Sequence, residues 1–260
     1  MEKTREPIFN VPPVVLGLVA CLCLIQVLVA YVLPTDASET LLELFAFEPL
    51  RYHAGGVPDG ELPGGWPAAV WTFVTYALLH VNLMHLGFNL IWLVAFGTPV
   101  ARRFGPWRFL AFFAFTAATG ALAHLASYWG EDVPAIGASA AVLGMMAAAM
   151  RFVFQPGGPL SFLRLGEAKT YLVPAKPLAA MLREPRVLLF GGLWLGLNWL
   201  FGLPLFAMPG VEVAVAWQAH IGGFLGGLLV FSAFDPVPPA ATENGPERDA
   251  QSIDDEGAGP

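Results

Sequence analysis

A serine hydroxyl becomes a nucleophile only when a base takes its proton, and an imidazole at hydrogen-bond distance is the usual base. The sequence offers one such pairing across a long separation. Ser139 follows Gly137 and Ala138 at the head of an apolar stretch, and His220 sits in Ala219-His220-x2-Gly223-x3-Gly227. No Asp or Glu lies deep in any apolar stretch, so the two would act as a dyad rather than a triad. Attack on a carbonyl would then create an oxyanion that needs donors. His85 and Asn89 share a helical face with Asn82, at i, i+3 and i+7, and could donate together with the Ser139 backbone N–H at a helix N-terminus. His80, five residues before His85 on the same helix, is expected to point roughly 140° away.

The elements that must position these groups are apolar helices. The chain has 260 residues, of which 56% are hydrophobic and 13% charged, with a mean hydropathy of +0.62, more apolar surface than one soluble core of this length would bury. Six stretches are long enough to cross a hydrocarbon layer of about 30 Å: approximately 14–33, 70–96, 107–128, 136–154, 187–206 and 211–234. The first, although Lys3 and Arg5 precede it, exceeds a signal-peptide core and lacks a clean cleavage site, so it reads as a retained helix. Cys21 and Cys23, two residues apart on it, cannot pair with each other and read as buried thiols. Counting from the ends of their stretches at 1.5 Å per residue, Ser139 lies about 18 Å up, His220 about 21 Å and His85 about 16 Å, within about one turn of each other. Ser139 would thus sit below the outer surface, with the loop 131–138 dipping inward to meet it. Irregular backbone at that depth requires protein or a water-filled cavity beside it.

Charge sets the expected topology. Of thirteen Lys and Arg residues, every one except Arg51 falls before the first stretch, between the second and third, between the fourth and fifth, or in the tail. The positive-inside rule then puts both termini in the cytoplasm and turns the loops 34–69, 129–135 and 207–210 outward. The chain divides into a cytoplasmic N-terminal segment 1–13, a membrane domain 14–234 and an acidic, Pro- and Gly-rich tail 235–260 that should be disordered. In the outer loop 34–69, Leu41, Leu42, Leu44, Phe45 and Phe47 interleave with Glu39, Glu43 and Glu48, as in an amphipathic interfacial helix. The inner loop 155–186 is basic and mixed, suited either to anionic headgroups or to a plain linker. A net charge of −7 with no basic stripe argues against nucleic acid.

Small residues would let the fourth and sixth helices approach. Gly223 and Gly227 form a stripe with Ala219, while Gly137, Ala140, Ala141, Gly144 and Ala148 keep the fourth helix thin. His124 and Asn198 read as interhelical hydrogen-bonding residues, His53 as a surface residue of the outer loop, and Ser139 taken alone as an ordinary helix cap.

Together, His80-x4-His85-x3-Asn89, Gly137-Ala138-Ser139 and Ala219-His220-x2-Gly223-x3-Gly227 resemble the motifs of the rhomboid proteases, in the family's order, over about 70–235. The resemblance implies an all-α, six-transmembrane-helix bundle in the plasma (inner) membrane. It implies cleavage of transmembrane protein substrates near the outer membrane boundary, without metal or cofactor. Matched position by position, Ser139 is the nucleophile, His220 the base, and His85 and Asn89 the oxyanion side chains. His80 is a structural histidine, and the fifth helix, with Trp194, Trp199 and Phe201, flanks substrate entry. Four positions depart from the family's pattern: Ala140 replaces the usual Gly after the serine and would add a methyl beside the oxyanion site, Leu143 replaces an aromatic, Thr72 follows Trp71 where Arg is usual, and Ala101 stands where an acid is expected. Ala140 supports a second reading, a rhomboid-like protein that binds transmembrane helices without cutting them. A metal or haem site from His80, His85 and His220 is disfavoured by the angular offset and the lack of thiolate or carboxylate ligands.

Overall fold

The computed structural model describes residues 11–53, 62–161, 167–201 and 216–239. The expected N-terminal segment up to Asn10, the loop 207–210, the start of the sixth stretch up to Val215 and the tail beyond Pro239 lie outside the described residues. The architecture is all-α. Helix α1, Pro13–Val27, widens into a π-turn over Leu28–Val32, and α2, Thr35–Phe45, is the helix expected in the outer loop. Cys21 is exposed on α1 rather than buried, and Cys23 is half-buried, because α1 packs through a stripe of Val15, Leu18 and Leu22 that leaves Cys21 on its outer face.

The second expected span, 70–96, is two elements. Helix α3 covers Gly65–Thr75 and ends in a tight turn at Tyr76–Leu78; the chain is then extended at Leu79 and Asn82 before α4, Leu83–Trp92, begins. Asn82 caps that helix, its side chain accepting from the His85 backbone N–H at 2.8 Å. From α4 the helix continues through a π-turn at Leu93–Gly97 into α5, Thr98–Phe104. The widened turn precedes Pro99, whose ring cannot donate to the turn before it. The membrane-length stretch is therefore Leu83–Phe104, and the segment expected as the outer loop 34–69 extends instead to Asn82. Gly105, at φ 76°, and Pro106 turn the chain from α5 into α6, Pro106–Ser127.

The remaining helices are α7, Ser139–Met150; a short α8, Leu178–Met181; α9, Pro185–Phe201; and α10, Trp217–Phe234. Among the described residues, Pro13–Val32, Leu83–Phe104, Pro106–Ser127 and Trp217–Phe234 are long and apolar enough to cross a membrane, and α7 is a shorter apolar helix; with α9 the arrangement is consistent with the six helices expected. Helix α7 is the hub. All its residues after Ser139 are buried, and it packs against α6 and α10. Twelve residues of helix are only about 18 Å long, which is why its N-terminus stops inside the bundle.

Glycines set the closeness of these contacts. On α10, a Cβ at Gly223 or Gly227 would run into the backbone carbonyls of Ala140 and Gly144 on α7, and one at Gly222 would lie 2.5 Å from the Thr119 carbonyl on α6. Gly226 likewise faces the Thr119 side chain. Helix α10 thus carries two glycine seams, one toward α7 and one toward α6, of which only the α7 seam was expected.

Candidate active site

Ser139 occupies the first turn of α7 itself; its N-cap is Ala138, at φ −72° and ψ −5°. The hydroxyl is therefore not used as a cap. Ser139 Oγ lies 2.6 Å from His220 Nε2, and both residues are half-buried. The pair arises because the α7–α10 seam begins one residue after the serine, with Ala140 against Gly223, and His220 lies one turn before Gly223 on α10.

The turn that delivers Ser139 is held from three sides. Phe47 and Ala135 form an antiparallel bridge, with Phe47 N–H to Ala135 O at 3.1 Å and the reciprocal bond at 2.9 Å. The Gly137 N–H donates to the Tyr76 carbonyl at 2.9 Å, and His124 Nε2 meets the Val133 carbonyl at 2.8 Å. The expected inward dip of 131–138 is present, with Ala135, Gly137 and Ala138 buried. His124 hydrogen-bonds to this loop rather than to a neighbouring helix.

His85 and Asn89 flank the same turn. Gly137 has φ 121°, which disfavours any side chain, and a Cβ there would lie 2.7 Å from the His85 ring and 3.9 Å from Asn89 Nδ2. Only glycine lets the His85 and Asn89 side chains approach the backbone just ahead of Ser139. Asn89 is buried and donates to the His85 carbonyl at 3.0 Å, which fixes the direction of its amide. His80 precedes α4 rather than lying on it, so the helical offset does not apply. Its buried ring meets that of His85 edge-on, 5.1 Å between centroids.

Ala140 is buried, and its methyl faces α6, where a Cβ at Gly120 would lie 2.6 Å from it. The extra methyl after the serine is housed against Gly120 on α6. Leu143 packs in a cluster with Phe224 and Leu228. Trp71 Nε1 donates to the Leu44 carbonyl at 2.9 Å and Thr75 Oγ1 to the Phe45 carbonyl at 2.8 Å, tying α3 to α2. His53 is exposed, as expected.

Asn198 carries more than its residue type announced. Its side-chain oxygen meets His220 Nδ1, and its Nδ2 lies 3.5 Å from the Trp217 carbonyl. The signal available in sequence was an amide on a helix that is otherwise apolar after Arg186, without anything to name its partner.

The profile of the Rhomboid domain matches residues 67–234, and the chain belongs to the rhomboid family. It is 32% identical over 127 residues to Rhomboid protease GluP of Bacillus subtilis, an alignment covering 48% of this chain and 22% of that protein. It is 24% identical over 225 residues to Rhomboid protease AarA of Providencia stuartii, covering 81% and 68%. It is 28% identical over 115 residues to Rhomboid-type serine protease 2 of Emericella nidulans, covering 44% and 22%. The matched parts are thus about a fifth of the first and third relatives and about two thirds of the second.

Proposed function

We propose that this multi-pass membrane protein is an intramembrane serine protease that hydrolyses peptide bonds of transmembrane protein substrates near the outer membrane boundary. Ser139 is the nucleophile and His220 the general base. The observation that carries the reading is the 2.6 Å separation of Ser139 Oγ and His220 Nε2 inside a helical bundle. Family membership and the protease names of the relatives agree with it.

In this mechanism His220 Nε2 takes the hydroxyl proton as Ser139 Oγ attacks the scissile carbonyl. The oxyanion receives hydrogen bonds from His85, Asn89 and the Ser139 N–H, which as a first-turn amide has no intrahelical carbonyl to bind. His220 then hands its proton to the leaving amine, and water, activated by the same imidazole, releases the acyl group from Ser139. Substrate enters beside α9, near Trp194 and Trp199. The protein lies in the plasma (inner) membrane with both termini cytoplasmic, as the basic loops suggest. The non-cutting alternative drew on Ala140, whose methyl is taken up at Gly120.

The test is labelling of the detergent-solubilised chain by a fluorescent phosphonate directed at activated serines. Wild type should label, and Ser139→Ala and His220→Ala should not, while both variants keep the wild-type thermal midpoint. Absence of labelling in folded wild type would favour the non-cutting reading.

A further inference from the structure

We infer that Asn198 is a positioning residue for the base, fixing the His220 tautomer through its side-chain oxygen while its amide nitrogen grips the start of α10. The inference rests on the reading of Ser139 and His220 given above. The Trp217 carbonyl can only accept, so the Asn198 group facing it is the NH2, which leaves Oδ1 toward His220. An oxygen in that place can only accept, so His220 Nδ1 must carry the ring proton. In the neutral ring Nε2 is then the lone-pair nitrogen, and it is Nε2 that faces Ser139 Oγ. Each assignment forces the next, from a backbone carbonyl on α10 to the nitrogen that must take the serine proton.

An amide suits this depth. A carboxylate in the same role would be ionised inside an apolar bundle at a desolvation cost that a neutral amide avoids. The groups facing the His220 ring are Ser139 from α7, Asn198 from α9 and, within electrostatic reach, His85 from α4. The inference also gives α9 a part in catalysis beyond forming a wall. Its aromatic seat, where Trp194 meets Trp92 edge-on at 4.3 Å, sits one helical turn before Asn198, so the placement of α9 governs whether the base is oriented.

A plain interhelical staple would use both ends of the amide equally, and Asn198→Asp separates the two roles. The carboxylate keeps an acceptor for Nδ1–H and loses the donor to Trp217. The experiment is the rate of phosphonate labelling of the full chain from pH 5 to pH 9, for wild type, Asn198→Asp and Asn198→Leu, with Ser139→Ala and His220→Ala alongside. Asn198→Leu should label about 10- to 100-fold more slowly, the loss expected when a base is misoriented. Asn198→Asp should keep its rate at high pH within about threefold of wild type, with its acidic limb moved up by about one pH unit, because a carboxylate favours the imidazolium. Equal slowing of both variants at every pH would overturn the inference, as would a wild-type rate in Asn198→Leu. If Asn198→Leu does not fold, Asn198→Asp decides alone, an unshifted acidic limb overturning it. Persistent labelling in Ser139→Ala or His220→Ala would instead bring down the underlying site, a distinguishable failure.

Discussion

The two ends of the bundle each bury a carboxylate-bearing residue and treat it differently. At the far end, where α5 and α10 finish, Asp235 receives two hydrogen bonds from Arg103, Nε and NH2 each at 2.8 Å, while NH1 of the same guanidinium bonds the Tyr171 and Val173 carbonyls. Arg103 also lies over the Phe152 ring, 4.7 Å from its centroid. Near the site, Glu48 follows the Phe47–Ala135 bridge and is 8% exposed, yet its Oε1 has no hydrogen-bond partner among the described residues. Around Ser139 the fixing contacts are backbone bonds and glycine seams, whereas the far end depends on a buried, fully engaged ion pair. Stability and site geometry therefore depend on different contacts, and substitutions should separate them.

The largest effect on stability is expected from Arg103→Ala. Removing one partner leaves Asp235 unpaired, and breaking such a buried pair typically costs about 3–5 kcal/mol. The thermal midpoint should drop steeply while the labelling rate per folded molecule stays within about twofold of wild type. A loss of labelling at an unchanged midpoint would erase the division between the two ends.

Gly223→Val should do the reverse. A side chain there meets the Ala140 carbonyl, so α7 and α10 must separate just where Ser139 and His220 meet. Overpacking of this kind costs about 1–3 kcal/mol. Labelling should nevertheless fall by about 100-fold or more on the proposed mechanism, since His220 leaves hydrogen-bond range of Ser139. Gly17→Val on α1, where a Cβ would have nothing within 4 Å, is the control and should leave both readouts unchanged.

What could be read in the sequence follows the same division. Ser139, His220 and the Gly223–Gly227 seam were legible because motif spacing on a helix fixes a face, and a shared face with glycines fixes an approach. The break at Leu79–Asn82 was not, because 65–78 is as apolar as a span and hydropathy has no sensitivity to backbone direction. The signal present was Asn82, a good N-cap ahead of an apolar run. The partner of Asn198 and the seat of the Ala140 methyl depend on which helix lies opposite, information no local pattern holds. Arg103 and Arg151 counted in sequence only as topogenic charge. In the fold Arg151 is 4% exposed and bonds the Leu228 carbonyl on α10 and the Lys176 carbonyl in a loop, because helix and loop carbonyls gathered at the end of α7 can solvate a guanidinium as water would.

The smallest expected effect tests the Glu48 carboxyl, whose Oε1 lacks a hydrogen-bond partner among the described residues. Burial, reinforced by the neighbouring Asp132 and opposed by Arg51, pushes the Glu48 pKa up to about 7 from the ordinary 4.5. Between those values the folded chain holds a proton that the unfolded chain has released. Stability therefore falls as pH rises through this window and levels off above about 7, where both states are ionised. Asp132 is exposed and Arg51 only half-buried, so solvent screening brings the expected difference to the order of 1 kcal/mol. Glu48→Gln, neutral at every pH, should lose this part of the dependence, narrowing the gap between thermal midpoints at pH 5 and pH 8 and becoming more stable than wild type at pH 8. The backbone bridge at Phe47 and Ala135 does not titrate, so the labelling rate at pH 8 should change little. If Glu48→Gln kept the full wild-type pH dependence, the carboxyl would titrate alike in the folded and unfolded chain and so be solvated rather than buried, and the contrast between the two ends would fail.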